Sequence, residues 1–328
     1  MRPLLLLIVT ICLLGSGGCG QDDGAPRESA APAKAKLTIA YQYGMAYAPL
    51  LIMRDQQLIE KNYGREVTVE WKLLGSGADI NAGVVSGDID VAFMGIAPFV
   101  IGFSKGIPYR LYSGLSAQPM GLNTNKSSYR KLSDFGPDDK IALVSYGSIQ
   151  HIMLAMAAEK ELGAADALDK HILNMPHPDG MQALLSGSVS GHLTTSPYYN
   201  KELATAGIHT INSVAEAFPA GCTIIIGAAS IRLYESNPAL YQALVAATSQ
   251  AIDYLNANSD EVAAMLHERE GVSREIMLSY LTDDRVRYTA VPSGVEEVAE
   301  FMKRVGLVDR QTVLEPQALF FDNALGGQ

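Results

Sequence analysis

An α/β chain folded as two lobes around a cleft is the architecture this sequence predicts, on three observations. From Lys36 onward, strand-like and helix-like segments alternate at lengths that favour parallel strands with helices on both faces. A second run of the same kind begins with KIALVSYGS, after the stretch YRLYSGLSAQPMGLNTN. Beyond TIIIGAAS the chain turns mainly helical, and those helices need an apolar surface to cover. Returning them to the first run is the cheapest topology. It gives two βαβ lobes joined by two crossing segments, near 114–122 and 223–229, which together form a hinge.

The elements follow in order. KLTIAYQYG reads as a strand, APLLIMRDQQLIEKNYG as one helix closed by Gly64, EVTVEWKLLG as an alternating strand, ADINAGVVSG as a short helix and DIDVAFMG as a strand. The second run repeats the logic. KIALVSYGS is a strand, IQHIMLAMAAEKELG a helix ending at Gly163, KHILNMP a strand, DGMQALLSG a short helix with Asp179 as its cap, and SVSGHLTTS a strand. VVSGDIDVAFMG lies over LLSGSVSGHLTT, and Tyr43-Gly44 over Tyr146-Gly147. Identities are few, so this is shared βαβ logic rather than proof of duplication. In the C-terminal part Asn237-Pro238 starts a helix carrying Leu240, Leu244, Ala247, Ala251 and Tyr254 at helical spacing. Ser259-Asp260 and Ser273 cap two more helices, and SGVEEVAEFMKRVGLV is a fourth.

The N-terminus is of another kind. MRPLLLLIVTICLLGSGGCG has one Arg, an apolar run from Leu4 to Leu14 and small residues ending in Cys19, a secretory signal too short to span a membrane. It resembles a lipoprotein signal with Cys19 as the lipidated residue; an ordinary signal cleaved nearby is the alternative. The expected units are a signal over 1–19, a flexible tether over 20–36, lobe I from 37–118 with 227–328, and lobe II from 119–226.

Composition narrows the function. The 328 residues are 48% hydrophobic and 18% charged, which excludes a disordered chain. Loss of Arg2 with the signal leaves 24 basic against 35 acidic residues, a net charge of about −11 with no basic cluster, so nucleic acid is not an expected partner. Of three cysteines only Cys222 lies beyond the signal region, and it reads as a buried small hydrophobe. No two of the six histidines have the i, i+4 spacing of a helical metal site, so neither metal nor cofactor is expected.

In open α/β sheets ligands sit beyond the carboxyl ends of the strands. That rule selects loops 43–47, 75–78, 95–99, 146–151 and 194–199, rich in Gly, Ser, Thr and Tyr. The break at Tyr146-Gly147-Ser148 is the most telling. It opens a helix whose first N–H groups and Ser148 hydroxyl suit an oxygen-rich head group, favoured there by the helix dipole. Ser148 capping its own helix is the structural alternative, as it is for Ser76. Tyr43, Tyr47, Tyr146, Tyr198 and Tyr199 offer a second reading, the stacking of a heteroaromatic ring. A Ser148–His151 nucleophile pair lacks a third orienting group and a G-x-S-x-G elbow, so no enzyme is expected.

AYQYGMAYAPLLIMRDQQLIEKNYG, GSGADINAGVVSGDIDVAFMGIAPFV, KIALVSYGSIQHIMLAMAAEKELGA and SPYYNKELATAGIHTI, in that order and spacing behind an export signal, resemble the NMT1-like substrate-binding proteins of ABC importers for nitrate, taurine and alkanesulfonates, which include thiamine-precursor binders. The resemblance implies a type II periplasmic-binding fold that closes on one small ligand, docks on ABC permease subunits and acts as a lipid-anchored monomer. A ligand-sensing lipoprotein of the same fold is the alternative. The resemblance implies that Gly75-Ser76-Gly77 and Gly95-Ile96-Ala97 form one rim, faced by Gly147-Ser148-Ile149 and Ser196-Pro197-Tyr198. The strand-end loops add Tyr43, Met45 and Tyr47 to the first rim and Tyr146, Gln150 and Thr195 to the second. None of these loops carries Arg or Lys, so neutral donors and amide dipoles would have to hold a charge.

Overall fold

The computed structural model describes residues 34–325; the expected signal, Cys19 and the tether through Ala33 lie outside the described residues. The first strand, β1 (Ala35–Tyr41), already includes Ala35 and Lys36, two residues assigned to the tether. It leads through α1 (Ala48–Asp55) and α2 (Leu58–Tyr63) to β2 (Val67–Leu73), α3 (Gly77–Ser86), β3 (Val91–Gly95), α4 (Ile96–Ser104) and β4 (Tyr109–Ala117). Then come β5 (Met120–Thr124), β6 (Ile141–Leu143), α5 (Ile149–Leu162), β7 (Ile172–Asn174), α6 (His177–Leu185), β8 (Gly191–Thr195), α7 (Tyr198–Leu203), β9 (His209–Ile211) and α8 (Asn212–Glu216). The return comprises β10 (Ile225–Ser230), α9 (Ile231–Ser236), α10 (Pro238–Ala257), α11 (Ser259–Glu270), α12 (Arg274–Leu281), β11 (Arg287–Tyr288), α13 (Val295–Arg304), α14 (Pro316–Leu319) and α15 (Asp322–Leu325).

Two sheets result, in the orders β11-β4-β10-β3-β1-β2 and β7-β6-β8-β5-β9. The expectation of parallel sheets is half right. β1 runs parallel to β2 and β3, and β6 parallel to β7 and β8. β10, however, is antiparallel to β3 and β4, and β5 is antiparallel to β8 and β9. These two strands belong to the crossing segments: each enters a sheet directly rather than through a covering helix, so it runs against its neighbours. The crossings are therefore sheet members, with Gln118 and Pro119 as the short link from β4 to β5. The boundary expected at 226/227 falls inside β10.

Local signals explain where most helices start and stop. The side chains of Ser76, Ser148, Asn237 and Ser273 accept from the third residue onward at the starts of α3, α5, α10 and α12. The helix expected over 48–64 is broken at Gln57, whose φ of 52° interrupts it between α1 and α2. Asp179 sits in the first turn of α6 and does not cap it, and α11 begins after Asn258, with Ser259 inside the helix and no side-chain cap. α4 has no helical signature in the sequence, because IAPFVIGFS is apolar all round and shows no amphipathic period. As expected, α10 buries Leu240, Leu244, Ala247 and Ala251, and it lies against α1 and α2.

Candidate functional site

Between the sheets lies a pocket of about 480 Å³, mouth to solvent included. The first sheet's side contributes Gln42, Tyr43, Ala46, Tyr47, Gly75, Gly77, Gly95 and Pro98, together with Ile224 and Ile225 at the start of β10. Val144, Ser148, Ile149, Gln150, His177 and Thr195 come from the second. The two sides touch around it. Met45 N–H donates to the Ser196 carbonyl at 2.9 Å, and a Cβ on Gly95 would lie 3.3 Å from Ile149 Cβ. Gly44 (φ 121°) and Gly147 (φ 78°) make the sharp exits from β1 and β6, conformations that L side chains resist.

Of the residues expected to bind, Tyr43, Tyr47, Gly77, Gly95, Ser148, Ile149, Gln150 and Thr195 line the pocket. The others do not. Ser76 Oγ caps α3 and donates to Asp79 Oδ2 at 2.8 Å. Ile96 is buried in the core with its N–H on the Ile224 carbonyl. Met45 and Tyr198 line an adjoining cavity instead, and Ser196 hydrogen-bonds Asn200. Tyr146 points away: it is 52% exposed and stacks on His151, ring centroids 4.1 Å apart. His151 is a structural group, its Nδ1 accepting from Gly147 N–H and its Nε2 paired with Asp169. Changing Tyr146 to Ala is therefore expected to alter ligand affinity less than about threefold, since only surface contacts are lost; calorimetry showing a tenfold loss would return it to the site.

The lining contains no Asp, Glu, Lys or Arg. What polarises it is backbone. The N-terminal ends of α3 and α5, at Gly77 and at Ile149 and Gln150, reach the pocket from opposite halves, and those N–H groups have no acceptor among the described residues. Ser148 Oγ accepts from His151 N–H while keeping its own proton to donate. Tyr47 donates to Gln42 Oε1 at 3.1 Å, and burial pushes its pKa upward, so it stays a neutral phenol.

Sequence reasoning did not single out His177 or the adjoining cations. His177 lies at the first position of α6, its Nε2 3.1 Å from the Gln150 amide nitrogen. Its position just after Pro176 marks a helix start, the one local signal that could have placed it at a rim. Lys201 and Arg269 line the second cavity, about 880 Å³ with its mouth, which shares Gln42, Tyr43 and Tyr47 with the pocket. They come from α7 and α11 rather than from the loops, and Lys201 pairs with Glu270 at 3.3 Å.

Two sheets of matching strand order, meeting at an uncharged pocket where helices from both halves begin, define a two-lobed fold of the periplasmic-binding type. The chain belongs to the NMT1-like family, whose family model matches residues 30–267. It is similar to the taurine-binding periplasmic protein of Escherichia coli, 26% identical over 167 residues, or 50% of this chain and 49% of that relative. The match thus spans about half the length of that curated relative. Among solved structures, the alkanesulfonate-binding protein SsuA from Xanthomonas axonopodis pv. citri, bound to MOPS, superposes with a TM-score of 0.72 at 19% identity, covering 88% of this chain and 99% of that one. The periplasmic nitrate-binding protein NrtA from Synechocystis gives 0.69 at 17% identity, covering 86% and 84%. At such identities the structures establish the fold. All three of these relatives are binding proteins.

Proposed function

We propose that this protein is an exported solute-binding component of an ABC importer that closes on one small anionic or zwitterionic molecule with a sulfonate, nitrate or carboxylate head and presents it to permease subunits. The observation that carries this reading is the meeting of two helix N-termini, with unpaired N–H groups, at an uncharged and enclosed pocket. Fixed amide dipoles act there at short range, whereas the surface charge of the chain is screened over about 8 Å at physiological salt. An oxyanion is favoured over a heteroaromatic ring because Tyr146 and Tyr198 do not line the pocket, leaving Tyr43 and Tyr47 on one side with no tyrosine opposite and only the His177 imidazole there. The taurine, alkanesulfonate and nitrate binders named above support the same class. Among the described residues no helix is long and apolar enough to cross a membrane. Anchoring would fall to the lipid on Cys19, and the protein would act outside the inner membrane as a monomer.

A thermal-shift and calorimetric series with taurine, ethanesulfonate, acetate and nitrate tests this. At least one is expected to bind saturably and be recovered unchanged. Ser148→Ala should weaken that binding roughly tenfold, about the worth of one hydrogen bond to a charged group, with a further loss of about 1 kcal/mol in stability from the cap. Saturable binding of a pyrimidine alone would replace the anion reading with the heteroaromatic one.

A further inference from the structure

Behind the pocket runs a chain of buried polar side chains that neither the fold nor the lining explains. The Gln150 amide nitrogen lies 3.1 Å from His177 Nε2. His177 Nδ1 lies 3.4 Å from His192 Nε2 and 3.0 Å from Thr194 Oγ1, and His192 Nδ1 lies 2.5 Å from Glu202 Oε1. Asn123 donates to the other Glu202 oxygen at 2.8 Å. His192 and Glu202 have fully buried side chains, and no Lys or Arg among the described residues pairs with either. Gln150 and His177 form the pocket end of the chain.

Each link can be crossed in one direction at a time. With Glu202 ionised, His192 Nδ1–H donates to the carboxylate, His177 Nδ1–H donates to His192 Nε2 and Thr194, and His177 Nε2 must accept from the Gln150 amide. With Glu202 protonated, its O–H donates to His192 Nδ1, His192 Nε2–H donates to His177 Nδ1, and His177 Nε2–H donates. The Gln150 carboxamide must then turn its oxygen to His177 and its NH2 away from it. The Thr194 hydroxyl serves either state, as acceptor or donor. One proton taken from solvent separates the two states, and the net charge of the cluster goes from −1 to zero.

Resting on the anion reading above, we propose that Glu202, acting through His192 and His177, sets which end of the Gln150 carboxamide faces the cleft, so that uptake of one proton turns this rim into a hydrogen-bond donor and tightens the hold on an anionic head group. Glu202 and His192 are positioning residues here, and Gln150 touches the ligand. Burial supports the neutral arrangement at pH 7: it pushes the Glu202 carboxyl up to about 8 and pulls His192 down to about 3 and His177 well below its ordinary value. The groups facing Glu202 are His192 from β8, with His177 of α6 behind it, and the uncharged Asn123 from β5. The cation on its own helix is engaged elsewhere, since Lys201 pairs with Glu270.

Histidine 15N NMR on the unliganded wild-type protein tests the relay without any ligand. Both rings should change from Nε2–H to Nδ1–H together, with a midpoint near pH 8; rings that keep their tautomers from pH 6.5 to 10 overturn the proposal. Calorimetry with taurine and ethanesulfonate then reads the consequence. Affinity should fall about tenfold from pH 7 to pH 9, as the competent fraction falls. Glu202→Gln, whose amide mimics the protonated acid toward His192, should bind at pH 7 within about threefold of wild type and lose the decline. The same decline persisting in that variant overturns the relay. Binding of neither probe at any pH, beside a cooperative tautomer change, would overturn the coupling to sulfonate binding, while the acetate and nitrate arms of the series above decide the anion reading separately.

Discussion

Gly95→Leu is expected to weaken ligand binding by up to about two orders of magnitude while leaving the lobes folded. The backbone there, φ −61° and ψ 152°, suits any residue, so the change carries no conformational penalty. The added atoms meet the facing half of the molecule. A Cβ at this position would lie 3.3 Å from Ile149 Cβ and 3.4 Å from both Ile149 Cγ2 and Pro98 Cδ, and a leucine must continue into the pocket or push α5 away. Overpacking of this kind costs about 1–3 kcal/mol, and that cost would fall on the closed, liganded state, a loss of roughly 5- to 150-fold. Displacing the head group from the helix ends adds to it. Gly95→Ala, whose single added carbon needs Ile149 to give by only a few tenths of an ångström, should lose only a few fold. Calorimetry on the pair gives the reading: a leucine variant titrating like wild type would place the ligand elsewhere.

A second large effect is expected from pH on stability. Burial holds the Glu202 carboxyl near 8 instead of 4.5, so between those values the folded protein keeps a proton that the unfolded chain has released. Stability must therefore fall as pH rises through that window. His192, pulled from 6.5 to about 3, has the opposite slope, and His177 adds to it, since unfolding lets both histidines take up protons in acid. Below pH 6.5 the histidines outweigh the carboxyl; above it only Glu202 remains. A maximum near pH 6.5 follows, with a loss of about 1 kcal/mol by pH 8, or about 2–3 °C in melting temperature. Glu202→Gln should remove the alkaline decline and keep the acid one. Thermal unfolding of the two proteins at pH 5, 6.5 and 8.5 measures this, and parallel curves would show that Glu202 does not retain the proton.

What could be read in advance was what short segments decide. Ser148, Ser76 and Asn237 start helices because a side-chain oxygen three residues before an N–H is a local contact, and Gly64 and Gly163 end them by local backbone geometry. The carboxyl-end rule likewise brought Gly77, Gly95, Ser148 and Thr195 to one rim region, because strand direction and helix start are both written into neighbouring residues. The side-chain directions were not so written. Tyr43 and Tyr146 follow the same Tyr-Gly pattern, yet Tyr43 enters the pocket while Tyr146 stacks outside on His151. That difference depends on what each ring meets, not on its neighbours in sequence.

Sequence by itself determined the alternation of strands and helices, the two-lobed plan, the absence of charge on the binding loops and the family, since each is set by periodicity, capping or motif order over a few tens of residues. Tertiary structure alone decided that β5 and β10 run against their sheets, that Lys201 and Arg269 stand beside the cleft, and that Gln150, His177, His192 and Glu202 form one buried line. Those facts depend on pairings between segments far apart along the chain, where burial and hydrogen-bond geometry act, and no local pattern encodes them.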